Sequence, residues 1–261
     1  MPEMTYGSYL KIDELLGLQQ PVSEPVEHDE TLFIIIHQIF ELWFKEVLHE
    51  LDQMVDHLDA DHPALSGHQL KRVLKIFKTL IVQLDVLETM TPLEFDSFRE
   101  FLANASGFQS AQFRELEFAL GQKSPDHLDR FAGNEREYAN LLRRYHQPCL
   151  WDAFIRYVHR QGYDIPQEFL TRDVTKAVGY SAGVQQALIT IYRTDADLSR
   201  LCESMTDLDE GLQEWRYRHV MMVQRTIGTK IGTGGSSGVE YLRSTLFRPA
   251  FPDLWAIRSA F

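Results

Sequence analysis

Helical periodicity dominates the sequence from Asp29 onward and limits the possible folds more than any other feature. In the segment HDETLFIIIHQIFELWFKEVLHELDQM, apolar residues cover so much of the circumference around Ile34 to Phe44 that most of this helix must be buried. Patterns that alternate polar and apolar residues, as strands do, are nearly absent. The sequence therefore predicts an all-α fold, a helical bundle in one domain, in which a cofactor can lie between facing helices.

Capping residues mark several helix starts. The segment Thr91 to Glu94 reads as a capping box with proline at the first helical position, so a helix should begin there. Ser66 precedes a long apolar run, Ser124 precedes a proline that can open a helix, and Thr206 precedes a periodic run that ends at Ile227. We expect a helix after each of these residues.

The composition argues against several classes of protein. The chain has 26 Lys and Arg against 38 Asp and Glu, and the net charge of −12 disfavours binding to nucleic acid or to anionic membranes. The two cysteines, Cys149 and Cys202, form no CxxC pair, so neither a disulfide framework nor a cysteine metal site is expected. The N-terminus lacks the regions of a signal peptide, and the longest apolar cluster, LFIII, is too short to span a bilayer. We expect a cytoplasmic protein whose partners are small molecules or other proteins.

Two histidines stand on apolar helical faces. His37 lies within the apolar helix, and Phe33 precedes it by four residues on the same face. His219 belongs to a second stripe, formed by Leu208, Leu212, Trp215, His219, Met222 and Thr226. A single axial histidine in an apolar pocket is what haem requires. A histidine that is hydrogen-bonded within the core also fits each pattern, so both alternatives stay open.

An arginine among phenylalanines marks the segment FDSFREFLANASGFQSAQFRELE. Arg99 is flanked by Phe95, Phe98 and Phe101, and a guanidinium is difficult to bury unless it meets an anion. Arg99 is either a surface residue whose aliphatic stem covers apolar neighbours, or a clamp that grips a carboxylate with two hydrogen bonds. The residues alone leave both interpretations open.

The segment KIGTGGSSGVEYLR, Lys230 to Arg243, concentrates glycines. It contains no GxxxxGK[ST] motif, and its near match to a dinucleotide fingerprint has Ser237 in place of the third glycine and follows a helix. Phosphate binding is therefore disfavoured. The pattern favours a flexible segment that could close over a ligand and offer Thr233 as a hydrogen-bonding group.

Three clusters, HDETLFIIIHQIFELWFKEVLHELD, FREFLANASGFQS and WRYRHVMMVQRTIGTKIGTGGSSGVEYLRST, closely resemble those of the tryptophan 2,3-dioxygenases, haem enzymes that open the indole ring. The resemblance runs from Tyr6 to about Thr245. It implies insertion of O₂ across the C2–C3 bond of L-tryptophan at one haem b per subunit, giving N-formyl-L-kynurenine in the first step of the kynurenine pathway. The alternatives are a non-catalytic haem- or indole-binding sensor and a haem protein that acts on other indoles.

The resemblance also implies roles for residues around the cofactor. His219, in WRYRHV, resembles the proximal ligand of the haem iron. Trp215, Ser106 and Gly107 resemble further cofactor-binding positions. The haem pocket is thus expected between helices.

The resemblance implies a second set of residues that bind the substrate. Arg99 resembles the clamp on the tryptophan carboxylate, and Thr233 resembles the group that meets the ammonium. His37 resembles a distal histidine that accepts the indole N–H, with Phe33 packed beside it. Phe95 stands at a position that is aromatic in the family. Because phenylalanine cannot donate a hydrogen bond, Arg99 must hold the carboxylate with less help.

The N-terminus is expected to act between subunits. Tyr6, Tyr9 and Leu10, in YGSYL, resemble a segment that reaches into the substrate pocket of a neighbouring subunit in a homotetramer. The predicted organisation is an N-terminal segment, residues 1–20, followed by a single all-helical haem-binding catalytic domain, residues 21–261.

Overall fold

The computed structural model describes residues 4–230, 232 and 238–261. No β-strand occurs among these residues, so the prediction of an all-α fold is confirmed. Nor does any helix in this described part of the chain combine the length and the apolarity needed to cross a bilayer. The α-helices are α1 Tyr6–Leu10, α2 Ile12–Leu16, α3 His28–Asp59, α4 Pro63–Leu87, α5 Pro92–Arg99, α6 Ala111–Ala119, α7 Asp126–Asp129, α8 Glu135–His146, α9 Leu150–Arg160, α10 Gln167–Leu170, α11 Ala182–Thr194, α12 Ala196–Ile227, α13 Val239–Arg243 and α14 Pro252–Ala256. Short 3₁₀ helices span Glu100–Leu102, Gly107–Gln109 and Ile257–Ala260.

Three long helices form the centre of the bundle. Helix α4 packs against both α3 and α12, and α3 also contacts α6 and α9. Their facing sides share one hydrophobic core, in which Val47, Leu70 and Leu212 are fully buried. Because the apolar stripes of these amphipathic helices meet one another, their burial supplies the main driving force for folding.

The structure confirms the capping box of α5 and corrects the predicted start of α4. The Thr91 hydroxyl accepts a hydrogen bond from the Glu94 N–H at 3.3 Å, and the Glu94 carboxylate accepts one from the Thr91 N–H at 2.7 Å. The predicted start after Ser66 was wrong, because α4 begins at Pro63. Ser66 lies inside the helix, and its hydroxyl donates to the Met54 carbonyl of α3 at 3.1 Å.

Helix α12 begins earlier than predicted. Asp195 caps it by accepting hydrogen bonds from the N–H groups of Asp197 at 3.1 Å and Leu198 at 2.9 Å. Thr206 lies within the helix and donates to the Cys202 carbonyl at 3.0 Å. A threonine hydroxyl can cap a helix or bond to the preceding turn, so the residue type did not decide between these roles. The predicted end at Ile227 is confirmed.

Glu30 of α3 forms hydrogen bonds that hold the preceding loop against this helix. Its buried carboxylate accepts hydrogen bonds from the N–H groups of Val22 at 2.8 Å and Ser23 at 3.0 Å. Upstream of this loop, α1 and α2 expose most of their side chains. The Gln19 side chain donates to the Gln38 side chain at 2.6 Å, so a polar contact links the N-terminal segment to α3.

Candidate active site

A cavity of about 210 Å³ lies between α3, α5, α6, α12 and α13. Aromatic rings form much of its wall, with imidazole and guanidinium groups placed among them. It is bordered by eight of the predicted cofactor- and substrate-binding residues: Phe33, His37, Phe95, Arg99, Ser106, Gly107, Trp215 and His219. Packing of the long helices therefore brings three separate sequence clusters to one place.

His37 can offer a hydrogen-bond acceptor to a ligand in this cavity. Its Nδ1 lies 2.7 Å from the Phe33 carbonyl oxygen. Because a carbonyl only accepts, Nδ1 carries the proton, and a neutral ring then has a lone pair on Nε2. Burial lowers the pKa of His37 by more than the Phe33 carbonyl and the nearby Glu41 raise it, so the ring is neutral at pH 7. The Phe33 ring packs against the imidazole at a centroid distance of 4.1 Å.

His219 lies on the α12 wall of the cavity, next to Trp215. The two rings stack with centroids 5.1 Å apart and an interplanar angle of 12°. Trp215 is also surrounded by the rings of Phe40, Phe44 and Phe113. Burial is the main cause that lowers the pKa of His219 to about 4, and His37 and Arg114 act in the same direction. His219 is therefore a neutral imidazole in an apolar setting, the form that binds a metal ion.

Arg99 is the last residue of α5, a helix held in place by its aromatic side chains. Phe98 is fully buried, and the rings of Phe95 and Phe98 lie 5.7 and 5.6 Å from the ring of Phe33 on α3. These contacts, with the capping box at the other end, leave the half-buried Arg99 on the cavity wall. A carboxylate clamp requires this placement.

The remaining predicted substrate contacts do not join this cluster within the described part of the chain. Thr233 lies outside the described residues, although Gly232 and Gly238, on either side of it, border the cavity. Tyr6 and Tyr9 are 78% and 69% exposed, and Leu10 is 42% exposed. None of these three is among the described residues that border the cavity of their own chain.

The cavity wall also contains charged residues that the sequence interpretation missed. Arg114, Glu117 and Arg216 all border it. Glu117 accepts hydrogen bonds from Arg114 at 2.5 Å and from Arg216 at 2.7 Å. A signal was present, because Arg114 lies in FRELE and repeats the arrangement of arginine after phenylalanine that drew attention to Arg99 in FREFL.

Comparison with known proteins identifies the family. The sequence profile described as tryptophan 2,3-dioxygenase matches residues 1–151 and 163–261. The chain belongs to the tryptophan 2,3-dioxygenase family. A relative of that name from Herpetosiphon aurantiacus is 56% identical over 256 residues, which cover 98% of this chain and 98% of the relative. A tryptophan 2,3-dioxygenase from Anaeromyxobacter dehalogenans is 51% identical, and the alignment covers 98% of this chain and 96% of the relative. One from Bacillus thuringiensis is 41% identical, and the alignment covers 98% of this chain and 92% of the relative.

The match to the tryptophan 2,3-dioxygenase family includes every residue of the cavity cluster. His37 and Arg99 lie in the first matched range, and Trp215 and His219 lie in the second. The resemblance inferred from the three sequence clusters is thus confirmed at the level of the family. The comparisons give no support to a non-catalytic sensor.

Proposed function

We propose that this chain is a haem-dependent dioxygenase that inserts both atoms of O₂ across the C2–C3 bond of the indole ring of L-tryptophan. The product is N-formyl-L-kynurenine, which would make the reaction the first step of tryptophan degradation through the kynurenine pathway. The observation that carries the proposal is the convergence of His37, Arg99 and His219 on one cavity in a chain of the tryptophan 2,3-dioxygenase family.

The residues on the cavity wall fit one haem b per subunit. His219 is a neutral imidazole stacked on Trp215 among further aromatic rings, which would suit a ligand of haem iron. Trp215 would pack beside the macrocycle. Ser106 and Gly107 border the same cavity, and a Cβ atom added to Gly107 would meet no atom within 4 Å, so space is open there. When bound, haem would supply the oxygen chemistry, and the protein would supply the His219 ligand and an apolar enclosure.

The other residues orient the substrate. The planar guanidinium of Arg99 can grip the tryptophan carboxylate with two parallel hydrogen bonds, and Thr233 would meet the ammonium group. Nε2 of His37 would accept the indole N–H, and Phe33 and Phe95 would pack against the ring. Holding the indole in one orientation lowers the entropic cost of reaching the transition state.

The proposed assembly is a homotetramer in which residues 1–20 complete the substrate pocket of a neighbouring subunit and residues 21–261 form the catalytic domain. Support comes from the exposure of Tyr6, Tyr9 and Leu10, large side chains that their own chain does not cover. Aromatic side chains of this kind are enriched at protein interfaces.

The decisive experiment measures product formation. Purified protein reconstituted with haem is mixed with L-tryptophan, reductant and air, and the absorbance of N-formylkynurenine is followed. A sensor would bind haem and tryptophan without turnover, and that result would refute the proposal. In parallel, His219→Ala should lose the Soret band because it removes the axial ligand, whereas stoichiometric haem with an unchanged ferrous spectrum would remove His219 from that role.

A further inference from the structure

Two guanidinium groups and one carboxylate are buried together beside the cavity. Arg114, Glu117 and Arg216 are 5%, 4% and 4% exposed. Glu117 accepts from both arginines, so the three side chains together keep one positive charge. His127, whose Nδ1 lies 4.0 Å from Glu117, does not change this sum, because burial lowers its pKa and leaves the ring neutral.

Arg216 and Arg114 differ in the number of hydrogen-bond acceptors that surround them. Arg216 donates to Glu117 at 2.7 Å, to the Gln122 side chain at 2.5 Å and to the Thr245 carbonyl at 3.5 Å. Among the described residues, Arg114 has one side-chain hydrogen-bond acceptor, Glu117. Its guanidinium also approaches two aromatic faces, at 5.2 Å from the Phe108 centroid and 5.6 Å from the Phe113 centroid. Arg114 is therefore the group with donors left for a ligand.

Ring contacts place Arg114 at the His219 end of the cavity. The Phe113 ring, which Arg114 approaches, lies 4.9 Å from the ring of Trp215, and Trp215 stacks on His219. Arg99 borders the cavity from a different element, α5, whose phenylalanines pack against Phe33. The other carboxylate on the cavity wall, Glu41, accepts from Gln112 at 2.8 Å and is not within ion-pair distance of Arg114.

The geometry points to a carboxylate subsite at Arg114, distinct from the one proposed at Arg99, that takes an acidic side chain of the macrocycle bound through His219. This inference rests on the proposed function. A buried cluster with one surplus positive charge is costly unless a bound anion neutralises it, and a guanidinium suits a carboxylate. Haem carries two carboxylates, whereas the proposed function assigns the one carboxylate of the substrate to Arg99.

The test compares haem with haem whose two carboxylates are esterified. Full-length protein prepared without haem is titrated with each compound, and binding is followed at the Soret band. For unmodified protein we expect the diacid to bind about tenfold to a hundredfold more tightly than the diester, the range expected for hydrogen bonds to charged groups. Equal affinities would overturn the subsite without any mutation.

Variants then assign the effect to Arg114. Arg114→Gln leaves Glu117 paired with Arg216, so no carboxylate is left buried and unpaired, and far-ultraviolet circular dichroism checks the fold. We expect this variant to lose most of the preference for the diacid, Arg114→Lys to keep part of it, and the exposed neighbour Arg130→Gln to keep all of it. An unchanged preference in Arg114→Gln would overturn the assignment.

The same preparations separate the two sources of a carboxylate. If Arg114 holds the macrocycle, Arg114→Gln should weaken haem binding while the reconstituted variant keeps its KM for L-tryptophan. Unchanged haem affinity with a raised KM would assign Arg114 to the substrate and refute the macrocycle subsite. Failure of the unmodified protein to bind haem at all would refute the proposed function, and the subsite with it.

Discussion

At the scale of single residues, the proposed chemistry depends on hydrogen-bonding groups whose state is set by their neighbours. The Phe33 carbonyl fixes the tautomer of His37, and burial keeps its ring neutral. Arg99 presents a planar fork of donors. In the proposed function, protonation would remove the acceptor on His37, and a change of geometry would disrupt the contact made by Arg99.

We predict that Arg99→Lys lowers kcat/KM for L-tryptophan by about a hundredfold or more and leaves the haem content normal. Lysine keeps the charge but lacks the fork, and breaking a desolvated contact of this kind typically costs about 3 to 5 kcal/mol. Steady-state kinetics measure the change in kcat/KM, and the Soret band checks the haem content. Arg225→Lys, at an exposed arginine of α12 paired with Glu88, is the matched control and should have normal kinetics.

Tryptamine gives a second control on Arg99. Because it lacks the carboxylate, it should be a very poor substrate of the unmodified protein and should respond little to Arg99→Lys. Normal turnover of L-tryptophan by Arg99→Lys would show that the carboxylate clamp lies elsewhere.

The pH dependence should report the protonation of His37. Burial places its pKa below the ordinary value of 6.5, although the Phe33 carbonyl and Glu41 act in the opposite direction. Among the described residues, the charged and titratable groups that border the same cavity are Glu41 on α3, Arg99 on α5, Arg114 and Glu117 on α6, Arg216 and His219 on α12, and Tyr241 on α13. The Nε2 lone pair is thus present above this pKa and is lost as the pH falls through it.

We therefore predict that kcat/KM stays level from about pH 8 to 7 and declines only on the acid side of the ordinary histidine range. His37→Ala should keep haem and some turnover but lose this acid limb, whereas His49→Ala, at an exposed position of the same helix, should keep it. An unchanged acid limb in His37→Ala would assign the titration to another group. Loss of the Soret band in that variant would indicate that the roles of His37 and His219 are exchanged.

At the scale of elements, the position of Arg99 depends on α5, a helix of eight residues. A helix this short is not stable alone, so its cap and its buried rings must hold it. Thr91 and Glu94 fix its first turn, and Phe95 and Phe98 fix its inner face. The Lys230 ammonium, 2.8 Å from the Asp96 carboxylate, also links α5 to the residues that follow α12.

We predict that Thr91→Ala lowers the free energy of unfolding by about 1 kcal/mol, the usual cost of removing an N-cap side chain. It should also raise KM for L-tryptophan, because Arg99 lies at the other end of the same helix. Urea denaturation and steady-state kinetics measure the two effects. Thr79→Ala removes a threonine hydroxyl at an exposed position inside α4, where it caps no helix. This control should change neither the free energy of unfolding nor the KM. Equal effects of the two substitutions would contradict the capping argument.

At the scale of the whole molecule, a single chain leaves apolar surface near its N-terminus uncovered. Tyr6 and Tyr9 are mostly exposed, as are Leu16 and Leu18 further along the same segment. Apolar side chains gathered on one short segment often mark a site of contact with another protein. The proposed homotetramer would cover part of this surface and complete each substrate pocket.

Removal of residues 1–18 should leave a folded, haem-binding helical body with little activity. Circular dichroism reports the fold of the truncated chain, and the Soret band reports its haem binding. The rate of N-formylkynurenine formation reports its activity. Full activity of the truncated chain would exclude a role for Tyr6 and Tyr9 in the pocket.

Mixed assemblies sharpen this test. If the segment acts between subunits, a truncated chain with an intact cavity should regain activity when it is refolded with full-length Arg99→Lys, which contributes an intact N-terminus but a damaged cavity. Each chain alone should remain nearly inactive. No recovery in the mixture would indicate that the segment acts within its own chain.

Features that depend on neighbours along the chain could be predicted from the residues alone. Helical periodicity gave the all-α fold, the Thr91 box gave the start of α5, and the stripe through Trp215 and His219 gave the face of α12 that borders the cavity. The resemblance carried by three long motifs gave the family. These inferences succeed because capping and amphipathic faces involve residues within one or two turns of each other.

Features that depend on distant partners became visible only when the packing of the helices was known. Ser66 bonds to the Met54 carbonyl across the α3–α4 contact instead of capping a helix, and Thr206 bonds within α12 because Asp195 already caps that helix. Arg216 meets Glu117 only because α6 and α12 pack beside the same cavity, although 99 positions separate the two residues. A side chain that can satisfy its hydrogen bonds in several ways does not reveal its partner through its own type. Packing of the helices selects the partner, because buried polar groups must be paired where the fold places them.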